Sequence, residues 1–201
     1  MTRVSLGRIN KFLNHDELAP APAEDLVGDK REALSITSGS FKWGVEEPVC
    51  LHNVNISVAA GSLTAVVGRV GAGKSSLLSA LLGDMIQCSG HVARRGAAAY
   101  VAQQAWVQNS TLKENVLSCR EEEEERYRAV LESCALGPDL AALPQGDLTL
   151  LGERGVSLSG GQKQRVSLAR AVYSTADTVL MDDPLAAVDA HVGQQLFEQV
   201  I

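Results

Sequence analysis

Glycines at 68, 71 and 73, set in the run G-R-V-G-A-G-K-S that ends on Lys74 and Ser75, have the residue types and spacing to cradle a phosphate. Glycine admits the left-handed backbone of a tight loop, so successive amide N–H groups can turn inward and end on a helix N-terminus. Lys74 would reach the β- and γ-phosphates and the Ser75 hydroxyl would ligate magnesium. The cofactor-binding set here is Gly68, Val70, Gly71, Ala72, Gly73, Lys74, Ser75 and Ser76. A second cluster, Ser159-Gly160-Gly161-Gln162, offers a hydroxyl and two unobstructed amides at another helix start. In isolation that cluster fits an ordinary helix cap as well as a phosphate. Asp182 and Asp183 close a short apolar run, Thr178 to Met181. Asp182 is placed to hold magnesium, and Asp183 to orient and polarise an attacking water, with a side chain one methylene shorter than glutamate. Gln103, just past another apolar run, either reaches metal or water or is a surface residue. Trp43 either stacks on a base or fills a strand end.

Elements must position these groups. Val66 and Val67, in the run Leu63 to Val67, predict a buried parallel strand before the first glycine loop, and the leucines after Ser75 predict a helix. Ala33–Trp43 and Val49–Val58 alternate as strands around a turn at Gly44–Pro48, which predicts an edge hairpin or a small antiparallel sheet. Gly90 opens a short segment, and Ala97 to Val101 is a further strand. A helix start is expected at Ser110 or Thr111, with Glu114 in a capping interaction. The five glutamates at 121–125 suit the N-terminus of the next helix better than a metal patch. After Ser159 the spacing predicts a helix that packs through Val166, Ala169 and Val172 or Tyr173, with Lys163, Gln164 and Arg165 toward solvent. Ala190 to Ile201 predicts a last helix, packed through Val192, Leu196, Phe197 and Val200.

The 201 residues suffice for one domain with a real core, and 45% hydrophobic with 21% charged residues is a globular composition. A net charge of −6 lends no general electrostatic support to a nucleic-acid partner, and none is expected. Cys50, Cys88, Cys119 and Cys134 lack any C-x-x-C spacing, which suits reduced thiols rather than a zinc site. No apolar run is long enough to span a bilayer and no signal-peptide pattern opens the chain. Val4, Leu6, Ile9, Phe12 and Leu13 predict a short amphipathic helix or the tail of a longer one. The acidic, proline-bearing stretch from His15 to Lys30 reads as a linker, so 1–32 is expected to be a linker and 33–201 the folded domain.

Taken together, G-R-V-G-A-G-K-S at 68–75, Gln103, L-S-G-G-Q at 158–162, V-L-M-D-D at 179–183 and the Asp189 loop resemble the nucleotide-binding domain of an ABC transporter. The stretches Y-V-A-Q-Q-A-W-V-Q-N-S-T-L-K-E-N-V and D-D-P-L-A-A-V-D-A-H-V-G are similar to the first such domain of the multidrug-resistance-associated (C) subfamily. The resemblance implies an α/β P-loop NTPase fold, with a parallel core sheet, an N-terminal antiparallel β subdomain and an α-helical subdomain carrying the signature motif. It implies ATP and Mg2+ as cofactors, with Trp43 stacked on adenine and Gly68–Ser75 as the Walker A loop. Metal would be held by Ser75, Gln103 and Asp182. Ser159, Gly160, Gly161 and Gln162 would close on the nucleotide of a second domain, and Asp189 would communicate between the two sites. Where most members carry a catalytic glutamate this chain has Asp183, so its own site is expected to hydrolyse weakly.

The resemblance further implies a multi-pass membrane parent, with this domain on its cytoplasmic side. Its partners would be transmembrane domains and a second nucleotide-binding domain, and its cargo organic anions or conjugates. A switch histidine is expected beyond Ile201, His191 lying too early to be it. A regulatory domain of an ABC-type channel, or a soluble ABC ATPase of DNA repair or translation, are the other readings.

Overall fold

The structure is a computed structural model that describes residues 2–14, 32–152 and 156–201. The expected linker falls almost wholly on 15–31, outside the described residues. Helix α1 (Thr2–Leu13) precedes it, with Val4, Leu6, Ile9, Phe12 and Leu13 all exposed.

Strands β1 (Glu32–Lys42) and β2 (Leu51–Ala59) form the expected antiparallel hairpin. Helix α2 (Lys74–Leu82) follows the glycine loop, and β3 (Ile86–Arg94) returns to pair antiparallel with β1, giving the order β2-β1-β3. Strand β3 is longer than the short segment expected from Gly90. Its first half, I-Q-C-S, is too polar to stand out by periodicity. Leu34, Ile36, Phe41, Ala80, Leu81, Met85, Val92 and Leu180 make one core between this sheet and α2.

Strands β4 (Ala98–Val101) and β5 (Thr178–Met181) pair in parallel, with Tyr100 opposite Leu180 and Val101 opposite Met181. Side chains on a strand alternate between faces. Leu180 accordingly packs in the sheet core, whereas Val101 and Met181 pack in a second, helical core. That core is built from α3 (Leu112–Leu117), α4 (Glu124–Ser133), α6 (Gly160–Tyr173) and α7 (Ala190–Gln199), with α5 (Gly137–Ala142) at its side. The parallel pair is thus the wall between two hydrophobic bodies, and Asp182 leaves its edge.

Three expectations are corrected. The run Leu63–Val67 is not a strand: it pairs with no neighbour, and Leu63 (65%), Val66 (41%) and Val67 (89%) are exposed. An apolar run becomes a parallel strand only where a ladder and a cover meet it, and here neither does. Gln164 does not face solvent but is 1% exposed, and Arg165 is largely buried in an ion pair with Asp139. Phe197 is exposed rather than packed, while Leu196 is fully buried.

Candidate functional site

The first glycine loop is shaped by backbone that only glycine adopts freely. Gly71 (φ 81°) and Gly73 (φ 91°) are left-handed, and Gly73 is the residue at which α2 begins. A β-carbon on Gly73 would also come within 3.1 Å of Leu51 Cδ2, so the loop lies close against β2. Lys74 Nζ donates to the carbonyl oxygens of Gly68 and Arg69, each at 3.0 Å. Its ammonium thereby ties the end of the loop back to its start, and the neighbouring Ser75 is exposed. A positive group, the amides of a helix start and a hydroxyl are the groups from which an anion socket can be built. Among the described residues no group of three or more His, Cys, Asp or Glu side chains could hold a metal. The Ser75 hydroxyl and the Asp182 carboxylate are hard oxygen donors of the kind magnesium takes.

The second loop is a full capping box. Ser159 Oγ accepts from the Gln162 amide at 3.3 Å, and Gln162 Oε1 accepts from the Ser159 amide at 2.8 Å. Two amides are used in this way, and those of Gly160 and Gly161 stand outside the box. Gln162 Nε2 also donates to Asp139 Oδ1 at 2.9 Å, and Arg165 holds the same carboxylate with its Nη1 at 2.5 Å from Oδ2. Asp139 on α5 therefore anchors the loop from below, a role that its isolated place in the sequence does not signal. Above, Gly161 lies against the Ala187 carbonyl in the turn between β5 and α7. Asp189 caps α7, its Oδ1 accepting from the Val192 amide at 3.1 Å. That bond to backbone N–H holds its carboxyl below the usual carboxylate range.

Asp182 is held to β4 by its amide, which donates to the Val101 carbonyl oxygen at 2.9 Å. Burial, then the negative charges of Asp182 and Asp84, push the Tyr100 hydroxyl above its ordinary value. Tyr100 was not among the expected site residues; its place opposite Leu180 emerges only from strand register. Asp183 is exposed and left-handed (φ 49°). Gln103 and Trp43 are exposed, Trp43 at 48%. The structure joins Ser159, Gln162 and Asp139 in one network, and Gly161 to the turn before Asp189.

Two glycine-bearing loops, each opening a helix, and a parallel strand ending in aspartate define the class as a P-loop nucleotide-binding domain. The family model described as "ABC transporter" matches residues 51–186. The chain belongs to the ABC transporter family, as an ATP-binding domain of the C-subfamily type with ATP and magnesium as its cofactors. It is 54% identical over 200 residues to "ATP-binding cassette sub-family C member 3" of Rattus norvegicus, covering 100% of this chain and 13% of that protein. It is 50% identical over 199 residues to "ATP-binding cassette sub-family C member 2" of Homo sapiens, covering 98% of this chain and 13% of that protein. With "ABC transporter C family member 8" of Dictyostelium discoideum it shares 47% over 198 residues, 98% of this chain and 12% of that protein. The chain thus spans about an eighth of the length of these relatives. No described helix is long and apolar enough to cross a membrane.

Proposed function

We propose that this chain serves as one of two ATP-binding domains in a multi-pass membrane exporter of organic anions or conjugates, on the cytoplasmic side of the membrane. In this reading residues 1–32 lead from a transmembrane domain to a folded unit that begins near residue 33. The observation that carries it is the pair of loops: Gly68–Ser75 before α2 and Ser159–Gln162 before α6, the latter with two amides outside its cap. Gly68, Val70, Gly71, Ala72, Gly73, Lys74, Ser75 and Ser76 bind the phosphates of ATP, and Trp43 stacks on the base. Ser75, Gln103 and Asp182 hold magnesium. Ser159, Gly160, Gly161 and Gln162 face the nucleotide bound by a second domain, with Asp189 between the two sites.

ATP supplies the phosphoanhydride whose cleavage drives such a cycle. Asp183 orients water at this domain's own site, and its short side chain makes that site the weak one of the pair. Equilibrium binding of ATP, with and without magnesium, tests the assignment in Lys74→Ala and Asp182→Asn. The expected result is a loss of at least about tenfold with Lys74→Ala, and loss of the magnesium-dependent gain with Asp182→Asn. Unchanged affinity in both forms would sink the site.

A further inference from the structure

Two side chains of α6 that nucleotide binding leaves unused reach across to the segment that carries Gln103. Arg170, in the last turn of α6, donates from Nε to the Asn115 carbonyl oxygen at 2.8 Å. Its Nη2 lies 3.1 Å from Asn115 Oδ1 and 3.4 Å from the Trp106 carbonyl oxygen. The guanidinium carbon is also 4.1 Å from the centroid of the Trp106 ring. Asn115 is 1% exposed and ties the same segment again. Its Oδ1 accepts from the Gln108 amide at 2.7 Å, and its Nδ2 donates to the Gln108 carbonyl oxygen at 3.1 Å and to Ser110 Oγ at 3.0 Å. At the other end of the segment the buried Gln164 places Nε2 3.5 Å from the Ala102 carbonyl oxygen.

The segment 102–110 has no helix or strand of its own. Its backbone is nevertheless held at Ala102, Trp106 and Gln108, through groups that all lead to α6. Burial works against the charge on Arg170 and lowers its proton affinity. An apolar side chain would fill the same space without that cost. What the guanidinium adds is a planar fork that grips two residues while lying over a ring, which neither lysine nor an alkyl chain reproduces.

We propose that Arg170 is a positioning residue that fixes the Gln103 segment to the helix opened by Ser159–Gln162, so that the two loops move as one body. The proposal rests on the reading of Gln103 as a magnesium contact. Its test in the full-length protein has two readouts, hydrogen exchange of the 103–110 peptide and the gain in ATP affinity on adding magnesium. Arg170→Met is expected to speed exchange at 103–110 by about tenfold, with 160–169 unchanged. It is also expected to cut the magnesium-dependent gain by about threefold or more, while ATP affinity in EDTA stays within about twofold. Arg170→Lys recovers only part of either effect.

Unchanged exchange and an unchanged magnesium gain overturn the proposal, as does an equal loss of affinity with and without metal. Should Arg170→Met fail to fold, Trp106→Leu removes the ring beneath the guanidinium and is expected to move both readouts in the same direction; no movement in either overturns the proposal. Gln103→Ala separates the two ideas. If it leaves the magnesium gain intact while Arg170→Met still loosens 103–110, positioning stands and the Gln103 assignment falls. If it abolishes the gain while Arg170→Met loosens nothing, the assignment stands and positioning falls.

Discussion

Gly161 lies so close to Ala187 that a β-carbon on it would sit 2.8 Å from the Ala187 carbonyl oxygen. The obstacle is backbone, which cannot rotate away as a side-chain end can. Gly160, one residue earlier, meets only the Ala187 β-carbon at 4.0 Å. Gly161→Ala is therefore expected to cost about 1–3 kcal/mol in urea unfolding, and Gly160→Ala less than about 0.5 kcal/mol. Equal midpoints for the two would mean that the turn before Asp189 yields freely and does not hold the second loop.

The Asp139–Arg165 pair tests the anchor beneath that loop. The two side chains are only 11% and 14% exposed, and Arg165 Nη1 also meets the Ala135 carbonyl oxygen. Asp139→Ala strands a guanidinium and removes the acceptor of Gln162 Nε2, and a loss of about 2–4 kcal/mol is expected. Replacing both residues should cost less than the sum of the two single changes, because the stranded charge is gone. Strict additivity would show that the pair does not act as a unit.

Burial pushes the Cys134 thiol up to about 12, only partly opposed by Arg165. The unfolded value is about 8.5, so between these limits the unfolded chain has released a proton that the folded chain keeps. This contribution is present below the unfolded value and is lost as pH rises toward 12. Stability should fall with pH above about 9, and Cys134→Ala should flatten that slope. Alkylation at pH 8 should label the exposed Cys50, Cys88 and Cys119 and spare Cys134 until the chain unfolds. Labelling of Cys134 at a matching rate would contradict its burial.

Two caps predict the opposite limb. Backbone and side-chain hydrogen bonds from Thr111 hold the Glu114 carboxyl below its ordinary value, and the Val192 amide does the same for Asp189. Their contribution is present above the unfolded values and is lost as pH falls through the lower folded ones. Thermal unfolding from pH 6 down to about 3 should lose stability in that window. Thr111→Ala should cost about 1 kcal/mol at neutral pH. Glu114→Gln removes the titrating carboxyl and should weaken the dependence; an unchanged pH profile in that variant would deny the Glu114 cap its share.

The caps were legible because they are local. Thr111-x-x-Glu114 and Ser159-x-x-Gln162 state their geometry within four residues, and both formed capping boxes. The hairpin was legible from alternation and β4 from its short apolar run. Leu63–Val67 was misread because apolar content reports what a segment can bury, not whether a partner strand meets it. Gln164 was misread for a related reason: helical spacing placed it beside Lys163 and Arg165, whereas the packing of α6 on the Ala102 segment turned it inward. Asp139, Tyr100 and Arg170 are contacts across 26 to 80 residues of sequence, and no single-sequence pattern encodes such pairs.

Asp183 lies in left-handed backbone at φ 49°, just after the strand that ends at Met181, and its carbonyl oxygen accepts from the Ala186 amide at 3.3 Å. Aspartate tolerates this conformation because its short polar side chain bonds locally, and glutamate tolerates it less well. Asp183→Glu should therefore lower stability by about 0.5–1 kcal/mol while lengthening the reach of the carboxylate toward the attacking water. If the short side chain limits hydrolysis at this site, ATP turnover in the full-length protein rises by about tenfold or more in spite of that loss. Asp183→Asn keeps the backbone preference and removes the base, so it should leave the melting temperature unchanged and lower any turnover at this site. No gain with glutamate would place the limit elsewhere and favour a domain that acts by holding nucleotide rather than by cleaving it.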